Sequence, residues 1–133
     1  GPQLSILVAT NRPGIYDFVL FSLAAQTSRD YELIVVDDLV DSRRAEVVAL
    51  ADKLSVNLAH LVKSKKKTSA VSAKGGEANA YNTAAMLASG RYVTFLNDFT
   101  WLPSHFVAET IDAFGDMGPL GVLAYPYDAY APC

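Results

Sequence analysis

Three short polar clusters follow apolar runs in this chain: Thr10-Asn11-Arg12, Asp37-Asp38 and Asn97-Asp98. They bring carboxylates, amides, a hydroxyl and a guanidinium, which is the chemistry of holding a polar or charged ligand. Nucleophilic chemistry has no comparable signal. The Ser and Thr residues lack a nucleophile elbow, no Gly-rich dinucleotide or Walker pattern occurs, and His60 and His105 stand apart from any triad or metal constellation. One such cluster reads as ordinary turn chemistry, because Asp and Asn favour turns. Three of them at the ends of three strands read as a site, because open parallel sheets bind ligands outside the carboxyl ends of their strands.

The elements that would position these clusters follow from the apolar pattern. Residues 4–9 form a short apolar run that stops at Pro13-Gly14, a strand followed by a turn. From Ile15, apolar residues recur at Phe18, Val19 and Leu23, a helical period that fades near Gln26. Residues 31–36 are a second strand. A helix follows Asp41, with Ala45, Val48 and Ala49 as its inner face and Asp52 interrupting the stripe. Residues 56–62 read as a third strand, and residues 63–76 as a long polar connection of the kind that is usually functional or mobile. A helix over 77–89 ends at Gly90, a residue suited to a C-terminal stop. Residues 91–96 are a fourth strand, Pro103-Ser104 opens a helix that ends near Gly115, and residues 120–125 read as a fifth strand. Strands alternating with helices predict an α/β fold: a Rossmann-like, doubly wound, mostly parallel sheet with helices on both faces and right-handed crossovers.

Composition narrows the function. A chain of 133 residues is one domain long. At 51% hydrophobic and 19% charged it is not disordered, and strands buried on both faces account for the low charge. Cys133 is the sole cysteine, which excludes an internal disulfide framework or a Cys-based zinc site. No apolar run approaches a membrane span, and neither a signal peptide nor an Asn-x-Ser/Thr sequon is present, so a cytoplasmic location is expected. A net charge of −3 argues against nucleic acid as a partner. The basic stretch Lys63, Lys65, Lys66, Lys67 and Lys74 has no interleaved aromatics, so it is no stacking platform for a single strand. It reads either as a solvated loop or as an attractor for an anionic group.

These blocks resemble family 2 inverting glycosyltransferases of the GT-A fold. The likeness lies in the first strand with Thr10-Asn11-Arg12-Pro13, in Ala25-Gln26-Thr27, in Asp30 and the Glu32-Leu33-Ile34-Val35-Val36-Asp37-Asp38 run, and from Gly76 through Asn82 to Leu96. It extends from residue 4 to about residue 114. The resemblance implies a nucleotide-sugar donor site. The Thr10-Asn11-Arg12 loop would lie along the nucleobase, and Asp38 would accept a hydrogen bond from the base, since a carboxylate offers only acceptors. Asp37 would be a structural partner, Lys74 would lie near the diphosphate, and Asn82 would match the family's helix asparagine. The resemblance further implies a fourth strand beside the first.

Three departures from that pattern shape the expectation. The family's Asp-x-Asp holds a divalent cation, Mn2+ or Mg2+, on the diphosphate, and such cations take oxygen ligands. Here the segment reads Asn97-Asp98-Phe99, so the DxD-like motif keeps a carboxylate only at its middle position and Asp98 is the one candidate metal ligand. Leu39-Val40 replaces the usual Gly-Ser after the acidic pair. No downstream carboxylate sits in a motif that matches the general base, so residues 1–133 read as a truncated GT-A-like donor-binding domain without its acceptor-binding half. The first expectation is therefore a donor-binding transferase domain with an acceptor still to be found. The alternative is a non-catalytic nucleotide-sugar-binding or regulatory domain that has lost the metal motif. A phosphoacceptor signalling domain fits less well, because the first strand ends in Thr10-Asn11 rather than in an acidic pair. The aromatics Phe99, Trp101, Tyr125, Tyr127 and Tyr130 follow the fourth strand and predict a homodimer, or pairing with a separate acceptor-domain chain.

Overall fold

The computed structural model describes residues 1–64 and 76–118, with side chains from residue 79 onward in the second span. Lys65, Lys66, Lys67, Lys74, the expected strand over 120–125 and Tyr125, Tyr127 and Tyr130 lie outside the described residues.

The described chain alternates strand and helix: β1 (Leu4–Thr10), α1 (Tyr16–Ala24), β2 (Tyr31–Asp37), α2 (Val40–Lys53), β3 (Leu58–Val62), α3 (Gly76–Leu87), β4 (Tyr92–Leu96) and α4 (Phe106–Met117). The strands form one sheet in the order β3-β2-β1-β4, and every pairing is parallel. β1 is central, with Leu7 opposite Ile34 on one side and Phe95 on the other. β4 therefore lies beside β1, as the family likeness implied.

Period-two alternation sends the side chains of β1 and β2 to two cores. Leu4, Ile6 and Val8 pack with Leu33 and Val35 against residues of α1, α2 and α4, including Leu20, Val47 and Val107. Leu7, Ile34 and Val36 pack against Ala80 and Ala84 of α3. The sheet is thus covered on both faces, with three helices on one side and α3 on the other. Each fully buried Leu or Ile contributes about 1.5–3 kcal/mol relative to exposure, and small alanines let α3 approach the backbone closely.

Three local expectations are corrected. α2 begins at Val40, and its buried residues are Val40, Val47 and Ala51, whereas Ala45, Val48 and Ala49 are exposed. The inner stripe starts from Val40 as it leaves β2, so it runs along a different face and Asp52 no longer interrupts it. Gly90 has no left-handed backbone to provide a helix stop. It is small because a Cβ there would sit 2.6 Å from Ser5 Oγ and 2.8 Å from the Ser5 backbone nitrogen. α4 runs through Gly115 and ends before Gly118, whose φ of 78° suits glycine.

Candidate functional site

The carboxyl ends of the strands gather the polar clusters. The peptide N–H of Asp38 donates to the carbonyl of Thr10 at 3.1 Å, which ties the exit of β2 to that of β1. From there Asp37 and Asp38 separate. Asp37 is fully buried: Arg43 donates to it through Nε at 2.7 Å and Nη2 at 2.8 Å, Tyr16 Oη donates at 2.7 Å, and the Leu39 N–H at 2.8 Å. Burial by itself would raise the pKa of this carboxyl, but the bonds from Arg43, Tyr16 and Leu39 outweigh it and hold it below its ordinary value. The same pair raises the pKa of Arg43, and burial together with the Asp37 contact pushes that of Tyr16 upward. Asp37 is a post, since every contact it makes is internal.

Asp38 is exposed at the rim, where one oxygen accepts from Ser64 Oγ at 2.9 Å. Ser64 follows β3, and nothing in the Lys- and Ser-rich sequence there signals that role. Lys63, its neighbour, pairs with Asp41 on α2.

Across β1, Asp98 follows β4. Its Oδ2 accepts from Thr10 Oγ1 at 3.1 Å and lies 3.4 Å from Arg12 Nε. Thr10 is almost wholly buried and also accepts from the Arg12 N–H at 3.2 Å, so its hydroxyl shapes the loop and holds Asp98. The Arg43 Nη2 donates to the Arg12 carbonyl at 2.9 Å, which links this loop to the Asp37 post. Asn11 and Asn97 are exposed beside these groups, and the Asn97 carbonyl accepts from Thr100 Oγ1 at 2.7 Å. The Arg12 guanidinium lies 5.8 Å from the centroid of the Phe99 ring, and Phe18 meets that ring edge-on at 5.7 Å. Phe99 has a φ of 62°, in the left-handed region that bulky residues rarely occupy.

The arrangement gathers Thr10, Asn11, Arg12, Asp38, Asn97 and Asp98 on one rim. Lys74 lies outside the described residues, and Asn82 is exposed on α3. Sequence reading missed Tyr16, Arg43 and Ser64. It also gave no task to Gln26, which is buried and closes the far end of the 97–105 segment. Gln26 Nε2 donates to the Pro103 carbonyl at 2.7 Å, and its Oε1 accepts from the Val107 N–H at 3.0 Å. A glutamine capping a distant helix in this way leaves no local sequence signal.

A divalent cation does not fit the donor set around Asp98. The position after Asp98 is a phenylalanine, the Asp98 oxygen that accepts from Thr10 also faces a guanidinium, and Asn97 adds only a neutral carboxamide. Among the described residues, no three His, Cys, Asp or Glu side chains cluster to hold a metal.

In the order β3-β2-β1-β4 the winding reverses between β1 and β4, and Arg12 and Asp98 stand over that reversal. This is where doubly wound α/β domains bind ligands, and it places the chain among GT-A-like, Rossmann-type domains. The model for glycosyl transferase family 2 matches residues 5–130, so the chain belongs to that family. Solved structures agree on the fold. The crystal structure of S. aureus TarS superposes with a TM-score of 0.67 at 21% identity, over 86% of this chain and 20% of that one. TarS 1-349 gives 0.65 at 20% identity, over 86% and 33%. Its complex with UDP gives 0.63 at 20% identity, over 86% and 32%. The chain thus spans about a fifth to a third of the length of these proteins. A search of curated proteins finds no match. No helix among the described residues is long and apolar enough to cross a membrane.

Proposed function

We propose that this chain binds the nucleotide diphospho-sugar donor of an inverting glycosyl transfer to an acceptor hydroxyl. The observation that carries this reading is the convergence of Thr10, Arg12 and Asp98 at the winding reversal, with Asp38 beside them on the same rim, in a chain of family 2. The UDP complex of the TarS fragment supports a nucleotide as ligand. In this reading Asp38 accepts from the base imide, the Thr10-Asn11-Arg12 loop flanks the nucleoside, and Asn97, Asp98 and Lys74 lie toward the diphosphate and sugar. Asp37, Tyr16 and Arg43 hold that rim in place and do not touch the ligand. Transfer with inversion needs a base to deprotonate the acceptor hydroxyl, and that base comes with an acceptor-binding half beyond these elements or on another chain.

Such a partner, or a second copy, would meet the chain after β4. Phe95 near the end of β4 and Trp101 beyond it are each 56% exposed and Phe99 is 42% exposed, and aromatics of this kind are enriched at interfaces. Light scattering over a dilution series tests the second copy: a mass of one chain at every concentration overturns the homodimer.

A second reading rests on Phe99, which stands where the family places a metal-binding carboxylate. It is a donor-binding or regulatory domain without transfer activity of its own. Isothermal titration with a panel of nucleoside diphosphates tests what both readings share, and the absence of binding by every member overturns both. Sugar transfer to an acceptor by the protein together with its acceptor-binding half separates them.

A further inference from the structure

We infer that the Arg12 guanidinium, set by Asp98 and Phe99, takes the place of a divalent cation as the counter-charge for the donor diphosphate. The inference rests on the donor-site reading and assigns its diphosphate subsite. The argument begins with charge. A divalent cation between two carboxylates leaves a site with no net charge. Here Phe99 removes one carboxylate and Arg12 brings one positive charge to the one that remains, Asp98, so the balance is kept without a metal.

Geometry gives the same assignment. Arg12 faces Asp98 through Nε at 3.4 Å, which leaves the end-on edge between its two terminal nitrogens outside that contact. Those nitrogens form the planar fork that binds phosphate oxygens in pairs. The Arg12 side chain is 64% exposed, so it is accessible to a ligand at the winding reversal. Its direction is fixed from three sides. Thr10 holds Asp98, Arg43 holds the Arg12 carbonyl, and the Phe99 ring lies under the guanidinium at 5.8 Å. The left-handed backbone of Phe99 is the cost of placing that ring, and strain of this kind gathers at ligand-binding positions. Asp98 and Phe99 are positioning residues for Arg12. Arg12 is the group that touches the anion.

The test titrates wild type and Arg12→Gln with uridine, UDP and inorganic diphosphate in EDTA, and with UDP in Mn2+. Arg12→Gln removes an exposed charge, and thermal melting checks that the fold is intact. The expected result is that wild type binds UDP and inorganic diphosphate in EDTA, and that Mn2+ leaves UDP affinity unchanged. Arg12→Gln then loses about tenfold to a hundredfold for both diphosphates, the range for a lost charged hydrogen bond, and loses less for uridine, which the same loop flanks. Binding of UDP only with Mn2+, or equal diphosphate affinity in Arg12→Gln and wild type, overturns the inference. If UDP and every other nucleoside diphosphate bind no better than inorganic diphosphate, the nucleotide reading falls, while a loss in Arg12→Gln still upholds the anion site. If neither uridine nor any diphosphate binds, both fall together.

Discussion

The two rims of the sheet hold their carboxylates differently. At the amino-terminal rim, Glu32 is buried and accepts from Ser5 Oγ at 2.6 Å, the Ser89 N–H at 2.7 Å and Ser89 Oγ at 2.8 Å. Ser5 Oγ in turn accepts from the Gly90 N–H at 2.8 Å. The four groups close on one another and pin the end of α3 to β1 and β2. At the carboxyl-terminal rim, Asp37 is closed in the same way, but Asp38 and Asp98 keep acceptor capacity and Arg12 keeps donors. Carboxylates with all their bonds made inside the protein are scaffold. Those with bonds left to make face the crevice, and this difference separates stability from binding in the same small sheet.

Breaking a closed carboxylate should give the largest effect. Asp37→Ala leaves Arg43 and Tyr16 buried without their acceptor, and should cost about 3–5 kcal/mol in urea unfolding. Glu32→Ala should follow at about 2–3 kcal/mol, because Ser5 and Ser89 lose a charged acceptor. Both acids have folded pKa values below their ordinary values of 3.8 and 4.5. For Glu32, burial works against that shift and the bonds from Ser5 and Ser89 produce it. Their contribution is therefore complete above those ordinary values and is lost as pH falls below them through the folded values. The wild-type urea midpoint should drop in that acid window, and each variant should show a shallower drop.

Gly90→Ala sharpens the comparison without touching a charge. Its Cβ meets Ser5 side chain and backbone, so about 1–3 kcal/mol of stability should be lost, with nucleotide affinity unchanged by titration. Asp38→Ala should do the reverse. It should weaken nucleotide binding by about 1–3 kcal/mol and leave the urea midpoint near wild type. An unchanged affinity removes Asp38 from the site. The smallest effect on the fold is expected for Phe99→Asp, because aspartate tolerates the left-handed backbone better than phenylalanine. Its consequence should be a gain in UDP affinity on adding Mn2+ that the wild type lacks.

How much of this was legible in the sequence depended on the range of the interaction. The strands announced themselves, because β1 and β2 are apolar on both sides and end in polar clusters, and those clusters do meet at one rim. The face of α2 differs from the one expected of a helix that follows Asp41, because the helix already starts at Val40 and Val40 is buried in the core. Local grammar makes Gly90 a helix stop, but its constraint comes from Ser5 on a different strand. The contacts of Arg43 with Asp37 and of Gln26 with Val107 join elements that only the folded chain brings together. Asn97 and Asp98 were visible as a departure from a motif. The partnership of Asp98 with Arg12 was not visible, because a guanidinium in a loop has no preferred partner in sequence.

The central place of β1 has a consequence for how the chain is made. One edge of β1 pairs with β2, which follows closely, but its other edge waits for β4, and Thr10 and Asp98 are 88 positions apart. At about 5–20 residues per second of synthesis, that edge stays open on the ribosome for about 4–18 s. During this interval Ile6, Leu7 and Val8 present a strand edge to any passing nascent chain. The crevice at the winding reversal comes into being only when that edge closes, so the capacity to bind a ligand there marks the moment at which the central strand is paired on both sides.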